Sequence, residues 1–158
     1  MKTISLIIIL IHFLIATSCK LDMYKGCKNM PEQTSGTGLI IQNAVIVDFS
    51  SITNEELIIT SESQNNLNLE VSFDNGKTYN PIDFSKYTLL GKYAEADCSA
   101  EFNRDVAKYI EQQKYVYKIK VVHCGLCKKL KISMNWVLIP KIEDDFSVEF
   151  VVEYEHLK

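Results

Sequence analysis

The densest group of reactive side chains in this 158-residue chain is His123-Cys124-Gly125-Leu126-Cys127-Lys128-Lys129. Two cysteines separated by two residues support three kinds of chemistry. A thiolate whose pKa is lowered by its surroundings attacks disulfides. Two thiolates make half of a tetrahedral zinc site, which Cys98, Cys27 or His123 would have to complete. Oxidised, the same thiols become cross-links. No second group has the spacing of metal ligands, so the sequence assigns no metal and no cofactor.

The remaining polar residues give no catalytic set. His123 and His156 lack a Ser or Cys nucleophile and an Asp orienter in a recognisable arrangement. Glu143-Asp144-Asp145 lacks the alternating ligand spacing of a calcium loop and reads as a solvated acidic turn. Arg104 is the only arginine among 17 basic residues, and this reading gives it no mechanism. The chain is therefore expected to be non-enzymatic, with a thiol–disulfide or zinc-dependent role for Cys124 and Cys127 as the alternative.

The segment that fixes where these thiols live is the N-terminus. Lys2 precedes the aliphatic run Ile4 to Ile15, and the small residues Ala16-Thr17-Ser18 precede Cys19. That is the layout of an export signal and too short for a bilayer span, which needs about 20 apolar residues. Ala16 and Ser18 also suit ordinary signal peptidase, which would release a secreted protein. Ala16-Thr17-Ser18-Cys19 resembles a bacterial lipobox of the Bacteroidetes type, with Ala16 where Leu is usual. The resemblance implies a lipid on Cys19 as the membrane attachment. Lys20-Leu21-Asp22 after it is similar to surface-export signals of such lipoproteins, which implies an outer-membrane-anchored or extracellular place in the cell envelope.

Five cysteines in an exported protein leave one over. Acylating Cys19 makes the rest even, and Cys27, Cys98, Cys124 and Cys127 become the disulfide candidates. Three pairings exist. The favoured one ties Cys98 and Cys27 separately to the Cys124–Cys127 loop.

Cleavage before Cys19 removes Lys2, so the 17 basic side chains become 16 against 20 acidic ones and the net charge goes from −3 to −4. A mildly acidic chain with no basic block excludes nucleic acid as the expected partner. A protein or glycan ligand remains open.

The elements that carry these residues follow from hydrophobic period. Residues 1–18 are the expected signal, 19–38 a flexible tether with Gly26, Pro31, Gly36 and Gly38 among polar residues and no apolar period, and 39–158 a single β-rich domain. Leu39 to Phe49, Leu57 to Thr60 and the alternating Leu67, Leu69, Val71, Phe73 read as strands. Phe102, Val106 and Ile110 recur every fourth residue and predict an amphipathic helix within 94–113. Tyr115 to Val121, Leu130 to Leu138 and Phe146 to Tyr154 alternate and predict a three-stranded antiparallel meander. The expected fold is mainly β: an antiparallel β-sandwich, or an α+β sheet, with the helix packed on it.

Two short resemblances complete the reading. Ser72, Asp74, Gly76, Thr78 and Tyr79 are similar to the Asp-box, with Tyr79 in place of Trp; a single copy implies a folded turn rather than a sugar site. Cys124-Gly125-Leu126-Cys127-Lys128 resembles the thioredoxin-like Cys-Gly-Pro-Cys-Lys. That pair normally opens a long helix, whereas here it leads into the alternating run Leu130 to Leu138.

Overall fold

The computed structural model describes residues 33–47, 56–97, 100–123 and 130–156. Among them are ten strands: β1 (Gln33–Gly38), β2 (Val45–Val47), β3 (Glu56–Ile59), β4 (Glu70–Ser72), β5 (Asn80–Pro81), β6 (Tyr87–Asp97), β7 (Ala100–Tyr109), β8 (Lys114–His123), β9 (Leu130–Pro140) and β10 (Ser147–His156). They make three sheets, β1-β7-β8-β10, β3-β6-β9 and β2-β4-β5. The mainly-β expectation holds, and among the described residues the only helical pieces are 3₁₀ turns at Glu62–Gln64 and Ile110–Gln112.

The expected amphipathic helix is not there. Its residues form the end of β6 and all of β7, whose partner is β8 from Ala100↔His123 to Tyr109↔Lys114. The spacing misled because a step of four returns to the same face in a strand as well as, nearly, in a helix. Phe102 and Val106 are both buried, and the residue between them on that face is Arg104. An inward arginine broke the apolar alternation that would have identified a strand.

The expected meander is corrected too. β8 and β10 share a sheet but run parallel, Ser147↔Lys114 to His156↔His123, while β9 pairs with β6 in another sheet. Alternation shows that a strand has one apolar face; it does not say which sheet that strand joins. Residues 33–38, assigned to the tether, are strand β1, parallel to β7. Their sequence Gln-Thr-Ser-Gly-Thr-Gly has little strand preference. Its hydroxyls bond along the β7 edge instead: Ser35 Oγ donates to Asn103 Oδ1 (2.5 Å) and Thr37 Oγ1 to Asp105 Oδ1 (2.7 Å).

The sheet β3-β6-β9 lies between the other two, because both its faces are covered. Leu90, Ala94, Val137 and Ile139 pack against Phe102, Val106, Tyr115, Tyr117, Ile119 and Val121 of β7 and β8. On the opposite face Leu89, Trp136 and Leu138 pack against Leu69 and Val71, with Ile82 and Phe84. The outer face of β8 and β10 is solvated and carries a diagonal ladder of ion pairs, Lys114–Glu149 (2.6 Å), Lys118–Glu153 (3.0 Å) and Lys120–Glu155. Exposed pairs of this kind contribute little each; they also place charge along the β10 edge strand, which discourages pairing with another chain.

The Asp-box-like segment folds as its residues imply. Asp74 Oδ1 accepts from Ser72 Oγ (2.6 Å), Lys77 N (3.0 Å) and Thr78 N (2.9 Å), and Oδ2 accepts from Thr78 Oγ1 (2.6 Å). Asn75 and Gly76 both have positive φ, 60° and 79°. The hydrogen bonds from Ser72 and Thr78 hold the Asp74 carboxyl far below the usual carboxylate range. A carboxylate with a depressed folded-state pKa contributes stability that is present above its unfolded value of 3.8 and lost as pH falls below it. Asp83, held at about 2 mainly by Lys86 and Ser85, acts in the same direction. The urea midpoint is therefore expected to be level from pH 7 to about 5 and to fall steeply below 4, and Asp74→Asn should flatten that acid limb; a limb unchanged in the variant would contradict the assignment.

Candidate functional site

Among the described residues, one ionised side chain stands in the wall of two hollows. Arg104, on β7, points inward between the buried Phe102 and Val106 and reaches across to β9. Its Nη1 donates to the Trp136 carbonyl oxygen at 2.7 Å, and its Nε to the Ser35 carbonyl oxygen at 3.2 Å. One guanidinium thus joins β1 and β9 to β7, and so joins two sheets. Nearby, the Ile41 N–H donates to the Leu138 carbonyl at 2.9 Å. Arg104 and Ile41 together occupy carbonyls on the side of β9 away from β6.

Two hollows of about 240 Å³ each flank this guanidinium. One is bounded by Ser35, Ile40, Ile41, Gln42 and Leu138, the other by Val45, Ile46 and Met134; Arg104, Trp136 and Ala44 line both. The Trp136 ring is placed by Gly91, its pair on β6: a Cβ there would stand 2.3 Å from Trp136 Cζ3 and 2.5 Å from Cε3. The absence of a side chain at 91 is what lets the indole lie flat on the sheet and form the floor of the groove. At the end of β1, Gly38 has φ +66°, and a Cβ there would come within 2.3 Å of the Val106 carbonyl oxygen, so glycine lets the chain lie against β7.

Burial pushes the Arg104 pKa down, an effect partly countered by the nearby Tyr117. A guanidinium nonetheless stays charged in proteins. Burial pushes the Tyr117 hydroxyl well above the usual tyrosine value, so it remains a neutral donor to the Asn135 carbonyl at 3.0 Å. The arrangement is a fixed positive charge beside an indole ring, in hollows whose exposed lining is mostly polar. It suits binding.

No family model, curated protein or solved structure matches this chain.

The residues singled out from the sequence fall elsewhere. Cys19, Cys27, Cys98, Cys124 and Cys127 lie outside the described residues. The strand ends that flank three of them do meet: Asp97 pairs with Leu130 and Ala100 with His123, so the segments 98–99 and 124–129 leave from one end of the sheets. His123 stacks on Tyr154, ring centroids 5.9 Å apart. Glu143, expected to be merely solvated, accepts from Lys108 Nζ (2.6 Å) and Tyr115 Oη (2.9 Å). Those bonds, Lys108 first, lower its pKa. The triad ties the β9–β10 connection to β7 and β8, and Lys108 also stands 4.6 Å from the centroid of Phe146. Among the described residues no group of three or more His, Cys, Asp or Glu is placed to hold a metal.

Sequence reasoning missed both Arg104 and Trp136 as site residues. The usable signal was Arg104 in phase with Phe102 and Val106, one charge on an otherwise apolar face.

Proposed function

We propose that this chain is exported and held at the cell envelope by a lipid on Cys19, where its β-sandwich works as a non-enzymatic binding module. The observation that carries the binding role is Arg104: an inward guanidinium beside two hollows, whose hydrogen bonds among the described residues go to main-chain carbonyls. The leader Met1 to Ser18 and the lipobox-like Ala16-Thr17-Ser18-Cys19 support the location. The β1 start at Gln33 leaves residues 20–32 as chain between the lipid and the sheets. The shared end of β6, β7, β8 and β9 supports a cross-link between Cys98 and the Cys124–Cys127 segment, and oxidised thiols would leave the pair structural.

Mass spectrometry of the N-terminus tests the location. The expected result is a chain starting at Cys19 with a diacylglyceryl or triacyl group. An intact leader, or an unmodified Cys19, would remove the anchor. Peptide mapping without reduction should show Cys98 joined to Cys124 or Cys127; a freely reducible Cys124–Cys127 pair would favour thiol–disulfide chemistry instead.

A further inference from the structure

We propose that the Arg104 groove is a binding site for a small organic monocarboxylate. This names the ligand class of the binding module proposed above and rests on that reading.

A guanidinium carries five N–H donors. Arg104 uses two, to the carbonyls of Ser35 and Trp136, and among the described residues it has no carboxylate partner and no further hydrogen bond. Arg104 is half-buried, so its charge has lost part of its hydration and is stabilised further by an anionic partner. The carbonyls position the plane of the group without neutralising it. Three N–H groups are left, and the hollows beside Arg104 give a ligand access to it. A planar fork with spare donors matches a carboxylate, which accepts two parallel bonds.

The charge balance selects a monoanion. Neither hollow is lined by a lysine or a histidine, so a phosphate dianion would bring more charge than the wall can balance. The exposed lining of both hollows is mostly polar, so the carboxylate rather than the body of the ligand carries the recognition.

The site contains its own reporters, since Arg104 is the only arginine and Trp136 the only tryptophan in the chain. Purified protein is titrated at constant ionic strength with acetate, butyrate, hexanoate and decanoate, following indole fluorescence and the single arginine Nε–H resonance. Saturable changes in both are expected with every acid of the series, because the carboxylate is the group they share. Hexanamide, isosteric and neutral, should bind at least 10-fold more weakly. Arg104→Met should abolish the response. Because that variant also loses two sheet-joining hydrogen bonds, Ala44→Leu provides the second arm: it fills the hollows from the wall, leaves the guanidinium in place, and should weaken hexanoate at least 10-fold with an unchanged circular dichroism spectrum.

Equal binding of hexanoate and hexanamide, or no saturable shift with any of the acids, would overturn the carboxylate site and show Arg104 to be only a tie between sheets; the envelope location, read from the mass of Cys19, would be untouched by that result. Recovery of the acid unchanged after incubation is the expected outcome. Its chemical conversion would overturn the non-enzymatic reading while leaving the site.

Discussion

Tyr117→Ala is expected to destabilise the protein by about 3–5 kcal/mol, the usual range for removing a fully buried aromatic ring. Tyr117 is fully buried at the centre of β8, its ring 5.8 Å from that of Phe150 and its hydroxyl 3.0 Å from the Asn135 carbonyl across the gap between two sheets. The substitution loses packing within its own sheet and against β6 and β9, and a hydrogen bond between the two sheets. Set against a total of about 5–15 kcal/mol for an ordinary domain, that is a large share. Tyr117→Phe separates the two parts. It keeps the ring and should cost only about 1 kcal/mol, the net worth of one hydrogen bond. Urea denaturation of both variants measures the difference; equal losses would mean that the hydroxyl, not the ring, holds the sheets together.

The same residue predicts an alkaline limb. A tyrosine whose folded-state pKa is raised stabilises the protein fully below its unfolded value of 10.0, and that contribution is lost as pH rises above it. Tyr115, raised chiefly by burial and then by Glu143, adds to the same limb. Tyr117→Phe should therefore lose less stability than the natural protein between pH 10 and 11.

Gly91→Val is the second large effect, expected at about 1–3 kcal/mol from overpacking. The new side chain would enter the space of the Trp136 ring, and the Met134 methyl is only 2.8 Å from the Cβ position. Trp136 cannot retreat within the sheet, since its ring lies directly on residue 91. It must tilt into the hollows beside Arg104. The indole fluorescence should shift towards that of a more exposed ring, and the loss of stability should come with loss of the groove's shape. A stable variant with unaltered fluorescence would show that the floor is built differently.

Alternation in Tyr115 to Val121, Leu130 to Leu138 and Phe146 to Tyr154 was enough to locate β8, β9 and β10, because a period of two survives in any sheet with one apolar face. The Asp74 turn was equally legible. Its stabilising bonds all fall within residues 72–78, so no distant residue had to be known. β1 was not legible, since Gln33–Gly38 owes its conformation to the β7 edge rather than to its own residues.

Local periodicity by itself located β8, β9 and β10, and residues 1–19 alone carry the expectation of export. Sheet membership, the parallel pairing of β8 with β10, and the strand identity of 100–109 were decided only in three dimensions. The reason is the same in each case. A strand's pattern records that one of its faces is covered, but what covers it is set by chain segments far away in sequence. Arg104 is the clearest instance: within its own strand it looks like an interruption, and only the approach of Ser35 and Trp136 from two other strands makes it the centre of a site.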